Sequence, residues 1–294
     1  LIRAQPQEVT ADLDAVMKWQ TELFNRDQDQ LIGVQALLAS GHVLSERALH
    51  TAAVTKLLAV AEGLPKPLQI SLGAAALTVD VGIIDEHEAI RGANGPLGER
   101  ERALIAEHPE RSVGLLRAIG IKDADWLAAV ELHHERIDGS GYPHGLAGEA
   151  IPQGARIVAL ADAFTAMLRP RGDRPAFLAR DALRELYAKE AARYDARLVQ
   201  VLIRQLGVYP PGTVVKLANG EVGVCVRRTA DARRPVLQAV IDPSGQLYAT
   251  PKRRNPDDTA SKIVEVLPND RHRNIRDLVV QLWKKDLALT DGAT

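Results

Sequence analysis

Seven side chains in this sequence have the chemistry of metal ligands and fall where helices would present them. Glu46 and His50 stand four apart on a predicted helix, so their side chains share one face. Asp80 follows the apolar run Ala74-Ala75-Ala76-Leu77-Thr78-Val79, and His108 precedes Pro109 at what reads as a helix start. His133 and His134 are adjacent at the end of another predicted helix, and Asp162 lies inside Ala159-Leu160-Ala161-Asp162-Ala163-Phe164. Each has an ordinary alternative. Glu46 and His50 fit a surface pair worth a few tenths of a kcal/mol, His108 a cap, His133 or His134 a hydrogen-bonded core histidine, and Asp80 a solvated helix end. Asp162 is different, because a carboxylate buried among Ala, Leu and Phe requires a partner. Together, four imidazoles and three carboxylates with no thiolate suit a first-row metal with nitrogen and oxygen ligands. Adjacent helical histidines diverge by more than a quarter of a turn at about 3.6 residues per turn, which suits two neighbouring ions better than one. Two ions about 3.5–4 Å apart suit phosphodiester hydrolysis.

The composition narrows the chemistry further. Cys225 is the only cysteine in 294 residues, which excludes an intrachain disulfide and a zinc site built on several thiolates. A formal net charge of −1 lacks the basic excess of a general DNA, RNA or membrane-surface binder. No apolar run approaches the roughly 18 residues of a membrane span, so no membrane contact is expected within this segment and a cytoplasmic location is. The chain opens on Leu1 and not Met, which reads as a piece of a longer protein. Aromatic residues are only 4%, leaving Ala, Leu and Val to fill most of the core, with Trp19, Trp126 and Trp283 as packing groups. Cys225 reads as a small buried residue.

The elements that must position these groups follow from periodicity. Apolar residues at helical spacing predict helices over 12–20, 27–39, 46–62, 68–79, 99–107, 109–119, 123–134, 154–168 and 179–206. After Tyr209-Pro210-Pro211-Gly212 the period drops to about two. Segments 213–218 and 221–228 flank Asn219-Gly220, a strong hairpin signal. Segments 235–241 and 246–250 flank Asp242-Pro243-Ser244-Gly245, 262–267 is a fifth strand, and an amphipathic helix over 275–285 follows. The expected organisation is an N-terminal helical segment (1–26), a helical domain (27–208), and a small β appendage with a terminal helix (209–294).

The stretch His133-His134-Glu135-Arg136-Ile137-Asp138-Gly139-Ser140-Gly141-Tyr142-Pro143 resembles the HD-GYP family of metal-dependent phosphohydrolases. Gly145-Leu146, Gly148-Glu149, Ile151-Pro152 and Ala155-Arg156-Ile157 through Phe164 continue the likeness, which covers about 27–208. The resemblance implies a mainly α, HD-domain-like helical bundle and cyclic di-GMP as substrate. It assigns Glu46, His50, Asp80, His108, His133, His134 and Asp162 as ligands of a divalent transition metal, Fe or Mn. Asp80 and Arg174 then become catalytic candidates, and Tyr142, Pro143, Arg171 and Arg174 border the substrate. The Gly-rich turn from Asp138 to Gly141 also has a purely structural reading.

Two departures bear on activity. The family's His-Asp-x-Gly-Lys motif here reads Val79-Asp80-Val81-Gly82-Ile83, which removes an imidazole and a cation. Gly172 and Asp173 replace the family's usual proline and aromatic residue. Three outcomes stay open: Thr78, Asp85 or His87 substitutes for the lost ligand; one ion is held through His108, His133 and Asp80; or no catalytic metal binds. The expectation is therefore a degenerate HD-GYP protein of cyclic di-GMP signalling, impaired in hydrolysis and acting by binding the nucleotide or a partner such as a diguanylate cyclase. The alternative is an active phosphodiesterase with a reduced metal site.

Overall fold

The computed structural model describes residues 6–38, 44–86, 90, 98–170, 174–188, 190, 192–255, 257–269, 275 and 278–284. The chain is mainly helical with a small antiparallel sheet near its C-terminus, as expected. Its described residues form two compact units. One lies within Leu1–Glu22, Val43–Phe177 and Asp181–Gln205; the other within Leu23–His42, Leu178–Arg180 and Leu206–Thr294.

The first unit is a bundle built on α3 (Leu44–Ala61), α4 (Lys66–Thr78), α5 (Glu99–Ala118), α6 (Ala124–Leu132) and α7 (Gln153–Met167), preceded by most of α1 (Pro6–Arg26). Buried small residues let these helices approach closely: Ala52, Ala59, Ala75, Ala76 and Ala129 share one core with Leu72, Val113, Leu116, Val130 and Val158. α3 packs against α4 and α7, and α4 against α6. Arg47 and Thr51, one turn apart on α3, meet Asp162 and Thr165 on α7; the two threonine hydroxyls are 2.7 Å apart. Asp123 caps α6 by accepting from the Trp126 backbone N–H, and the Trp126 indole N–H reaches Thr78 Oγ1 at 2.8 Å, which ties α6 to α4.

Lys66–Glu86, which contains α4, is long and apolar enough to cross a membrane by composition alone, contrary to the expectation that no run approaches that length. Its most apolar window is 61% buried inside the bundle, where Leu72, Ala75, Ala76 and Val79 are core residues.

Two helices depart from the expected pattern. Glu99–Ala118 is one helix, with Pro109 inside it, where a break was expected before the proline. The segment 179–206 divides into α8 (Ala179–Ala188) and α9 (Ala196–Leu206). Asp195 starts the second, its Oδ1 accepting from the backbone N–H of Arg197 and Leu198.

In the second unit the sheet order is β4 (Leu247–Arg254), β3 (Val236–Ile241), β2 (Val222–Arg227), β1 (Val214–Leu217), β5 (Ile263–Leu267), all antiparallel. Alternate residues bury opposite faces. Val214, Val224, Val226 and Val240 join Leu37 of α2 (Gln28–Leu38) and Leu282 and Trp283 of α10 (Val279–Lys284). Val215, Leu217, Cys225, Leu237 and Val266 form the other core. Gly33 is required where α2 meets Trp283, since a Cβ there would lie 2.3 Å from the ring. Trp283 is wholly buried, whereas Trp19 is 48% exposed and is not the packing group expected. Cys225 is buried as expected, and burial pushes its thiol up.

Candidate metal centre

Among the described residues, His108, His133 and His134 are the one group of three potential ligands whose donor atoms come together, all within 4.8 Å of one another. Their rings lie 4.0 to 5.2 Å apart, centroid to centroid. The expectation that His133 and His134 would diverge fails for a local reason. α6 ends at Leu132, so His133 is its C-cap and His134 lies beyond it, and both rings turn toward α5.

Two orphaned carbonyls aim the first two rings. A proline at position 109 has no N–H to give Ile105 O, the acceptor four residues back. His108 Nδ1–H donates to that carbonyl instead, at 2.7 Å. His133 Nδ1–H donates to Val130 O, also at 2.7 Å, one of the carbonyls a helix C-terminus leaves unsatisfied. With each Nδ1 protonated, each Nε2 presents a lone pair. The two Nε2 atoms face one another at 3.3 Å, which is repulsive until a cation joins them. Burial lowers the His133 pKa to about 4, and burial with the neighbouring imidazoles lowers His134 well below the ordinary histidine range. With both Nδ1 atoms committed to carbonyls and His134 beside them, the donor set fits a metal ion.

Asp80 stands beside this group, its Oδ1 3.7 Å from His108 Nε2. Its placement depends on Gly82, in the short turn Val81–Ile83. A Cβ there would lie 2.6 Å from His108 O and 2.6 Å from Ser112 N. Ser112 Oγ completes the seam by donating to Val79 O and accepting from Gly82 N–H. The turn can therefore lie directly on α5 at the level of His108.

The position of a second ion does not fit in the same way. Val79 is buried in the apolar core with Leu72, Ala75 and Ala76, and Ile83 is buried too. Between Asp80 and Asp162 lies the Arg47 guanidinium, its Nη2 3.1 Å from Asp80 Oδ2 and paired with Asp162 Oδ1. Burial opposes the charge on Arg47, but Asp162 and Asp80 outweigh it and raise its pKa. Arg47 is thus the partner that a buried Asp162 demanded. The sequence carried that demand but nothing to name the residue that meets it.

The remaining candidates are placed as follows. Glu46 and His50 lie on α3, outside the three-histidine group. His50 is buried and its pKa falls to about 3 through burial and the neighbouring Arg169 charge. Arg174 donates to the carbonyls of Ala166, Met167, Arg169 and Pro175 at 3.2–3.4 Å and stacks on Phe177, closing the C-terminus of α7. Arg171 lies outside the described residues, as does His87. Of the other suggested substitutes for the lost ligand, Thr78 is buried and donates to Ala74 O, while Asp85 is exposed.

The loop after His134 folds back onto that residue, the Tyr142 N–H donating to His134 O at 3.3 Å. The Tyr142 ring stacks on His134 with centroids 4.7 Å apart and planes at 28°. Burial raises the pKa of Tyr142, so it keeps its hydroxyl proton. Gly141 is obligatory, because a Cβ would lie 2.4 Å from Arg136 N and 2.6 Å from His134 O. Pro143 follows, half-buried. A residue absent from the sequence-based candidates holds the loop: Glu135, 2% exposed, accepts from the backbone N–H of His144 at 2.7 Å and of Leu146 at 2.9 Å.

Comparison with known proteins agrees with this geometry. Residues 33–198 match the HD domain family. A cyclic di-GMP phosphodiesterase of Pseudomonas aeruginosa is 30% identical over 211 residues, covering 66% of this chain and 51% of that protein. The cyclic di-GMP phosphodiesterase response regulator RpfG of Xanthomonas campestris pv. campestris is 41% identical over 131 residues, 44% of this chain and 35% of its own. A 3'3'-cGAMP-specific phosphodiesterase of Vibrio cholerae is 31% identical over 150 residues, 50% of this chain and 34% of its own. The chain thus spans about half the length of these relatives, or less. In fold it is similar to a solved HDG"Y"P protein of Bdellovibrio bacteriovorus, with a TM-score of 0.54 at 19% identity, covering 67% of this chain and 63% of that one. With the family match running from α2 through the three histidines to α9, and Tyr142 stacked on His134, the chain belongs to the HD domain family, on its HD-GYP branch.

Proposed function

We propose that this chain is a metal-dependent cyclic dinucleotide phosphodiesterase with a reduced metal site, acting on cyclic di-GMP in the cytoplasm. The observation that carries the reading is the pair of Nε2 lone pairs facing each other at 3.3 Å, with both Nδ1 atoms already committed to carbonyls. A divalent Fe or Mn ion held by His108, His133 and His134 would polarise a phosphodiester and lower the pKa of an attacking water. Asp80, 3.7 Å from His108 Nε2, would stand beside such an ion as a carboxylate able to accept a proton. Tyr142, protonated and stacked on His134, offers a hydroxyl donor to a phosphate oxygen. Arg171 and Arg174 are the proposed phosphate contacts, which for Arg174 requires its amino groups to leave the carbonyls at the end of α7, and Glu46 and His50 on α3 are additional ligand candidates.

Protein reconstituted without oxygen with Fe²⁺ or Mn²⁺ and incubated with cyclic di-GMP, then separately with 3'3'-cGAMP, should release linear dinucleotide or mononucleotide. Removal of the metal by a chelator should stop release. Tight nucleotide binding with no turnover under either metal would instead favour the impaired, binding-only reading, with a diguanylate cyclase as candidate partner. Val79 and Ile83 motivate that second reading, but the relatives, each named as a phosphodiesterase, lend it no support.

A further inference from the structure

We propose that the Arg47 guanidinium is the second cation of this centre, standing between Asp80 and Asp162 where another metal ion would have to sit, so that the chain takes up one transition-metal ion and not two. The inference rests on the reading of the three histidines as a metal site. Asp80 is the hinge of the arrangement. Its Oδ1 looks toward His108 Nε2 at 3.7 Å, and its Oδ2 accepts from Arg47 Nη2 at 3.1 Å. The same Nη2 pairs with Asp162 Oδ1, so one nitrogen with two N–H bonds serves both carboxylates. An ion placed to bind those two oxygens would sit against Nη2 and be repelled by its charge.

The neighbouring residues agree. Val79 offers only hydrocarbon at the motif position where an imidazole would help hold such an ion, and it is packed into the core. Asp80 and Asp162 are mostly buried, with side chains 14% and 8% exposed, so neither can be left without a cation. A guanidinium stays charged at any working pH and cannot be removed by a chelator. It fills the carboxylates' need permanently, but it cannot acidify a water molecule. The loss of the imidazole at position 79 and the presence of arginine at position 47 are then two sides of one exchange: a dissociable dication replaced by a tethered monocation.

The test is metal counting. Crystals of the wild-type protein soaked in excess Mn²⁺ should show one anomalous peak, among His108, His133 and His134, with guanidinium density between Asp80 and Asp162. A second peak between those carboxylates, with Arg47 turned away, overturns the proposal while leaving the phosphodiesterase reading intact. Absence of a peak at the imidazoles sinks that reading and this proposal with it. In solution, after reconstitution without oxygen and desalting, wild type and Val79→His should each retain one equivalent of metal, and Arg47→Ala/Val79→His should retain two. Two equivalents on Val79→His alone, or one on a double variant shown by circular dichroism to be folded, also overturns it.

Discussion

Replacing Pro109 by Ala should make the metal-free protein more stable and the metal bind less tightly. The reason lies at one carbonyl. Ile105 O has no helical N–H because residue 109 is proline, and it accepts from His108 Nδ1 at 2.7 Å instead. Alanine restores the missing N–H. A proline in a helix interior costs about 3 kcal/mol relative to alanine, and alanine returns about 0.4–1 kcal/mol of that through a more flexible unfolded chain. Since the surrounding bundle already accommodates the proline, a net gain of about 1–2 kcal/mol is expected, about 2–4 °C per kcal/mol in a domain of this size.

The effect on the metal has the opposite sign. Ile105 O has two lone pairs, so it can keep a weakened bond to His108 while accepting the new N–H. The imidazole then loses part of what fixes its tautomer and direction. Loss of such an outer hydrogen bond typically costs 10–100-fold in metal affinity, and retention of a partial bond places this variant near the lower end, about tenfold or 1.4 kcal/mol. Calorimetric unfolding in chelator measures the first effect, and anaerobic titration with Mn²⁺ the second. Unchanged affinity in a variant of raised stability would show that Pro109 is merely tolerated and that His108 is aimed by something else. Unchanged stability would show that the carbonyl lacks nothing.

Other perturbations have equally defined outcomes. Gly82→Ala should lower stability by about 1–3 kcal/mol and weaken metal binding, because the new Cβ meets backbone at His108 O and Ser112 N; denaturant unfolding and metal titration check both. Glu135→Ala should leave the N–H groups of His144 and Leu146 without their buried acceptor, at about 1–3 kcal/mol each, and amide exchange in the Tyr142–Leu146 loop should quicken while α6 stays protected. In the sheet unit, Glu221 accepts from Arg254, Tyr248 and Asn219, and chiefly the Arg254 bonds hold its pKa at about 2, below the ordinary 4.5. Because the folded pKa is depressed, its stabilisation is full above pH 4.5 and lost as pH falls through about 2. The stability difference between wild type and Glu221→Gln in urea should therefore shrink across that window, and a difference independent of pH would refute the assignment.

What the sequence made legible was local. Asn219-Gly220 announced its hairpin because a tight turn needs a residue at positive φ, and Gly220 has φ of 88°. The switch from helical to alternating periodicity marked the sheet because each of its faces buries a different core. Pro109 misled because proline alone reads as a stop; the bundle holds the helix through it, and His108 uses the carbonyl it frees. The break between α8 and α9 escaped notice because both carry the same amphipathic pattern, and only Asp195, an N-cap inside an apparently continuous helix, betrayed it.

Arg47 escaped for a deeper reason. Beside Glu46 on a helix, an arginine reads as solvated surface charge, and no local signal brings it to a carboxylate 115 residues away. Yet the sequence did contain a charge imbalance. Asp162 sits among apolar residues, and the imidazole expected beside Asp80 is valine, so a second buried carboxylate was left near a site with one ligand fewer to hold a metal. Two carboxylates buried beside one another require a positive charge near both. Arg47, one turn before Thr51 on the helix that faces α7, reaches both carboxylates. The absent histidine and the intruding arginine therefore have to be read together, and a variant that restores only the histidine should recover neither the second ion nor the chemistry that depends on it.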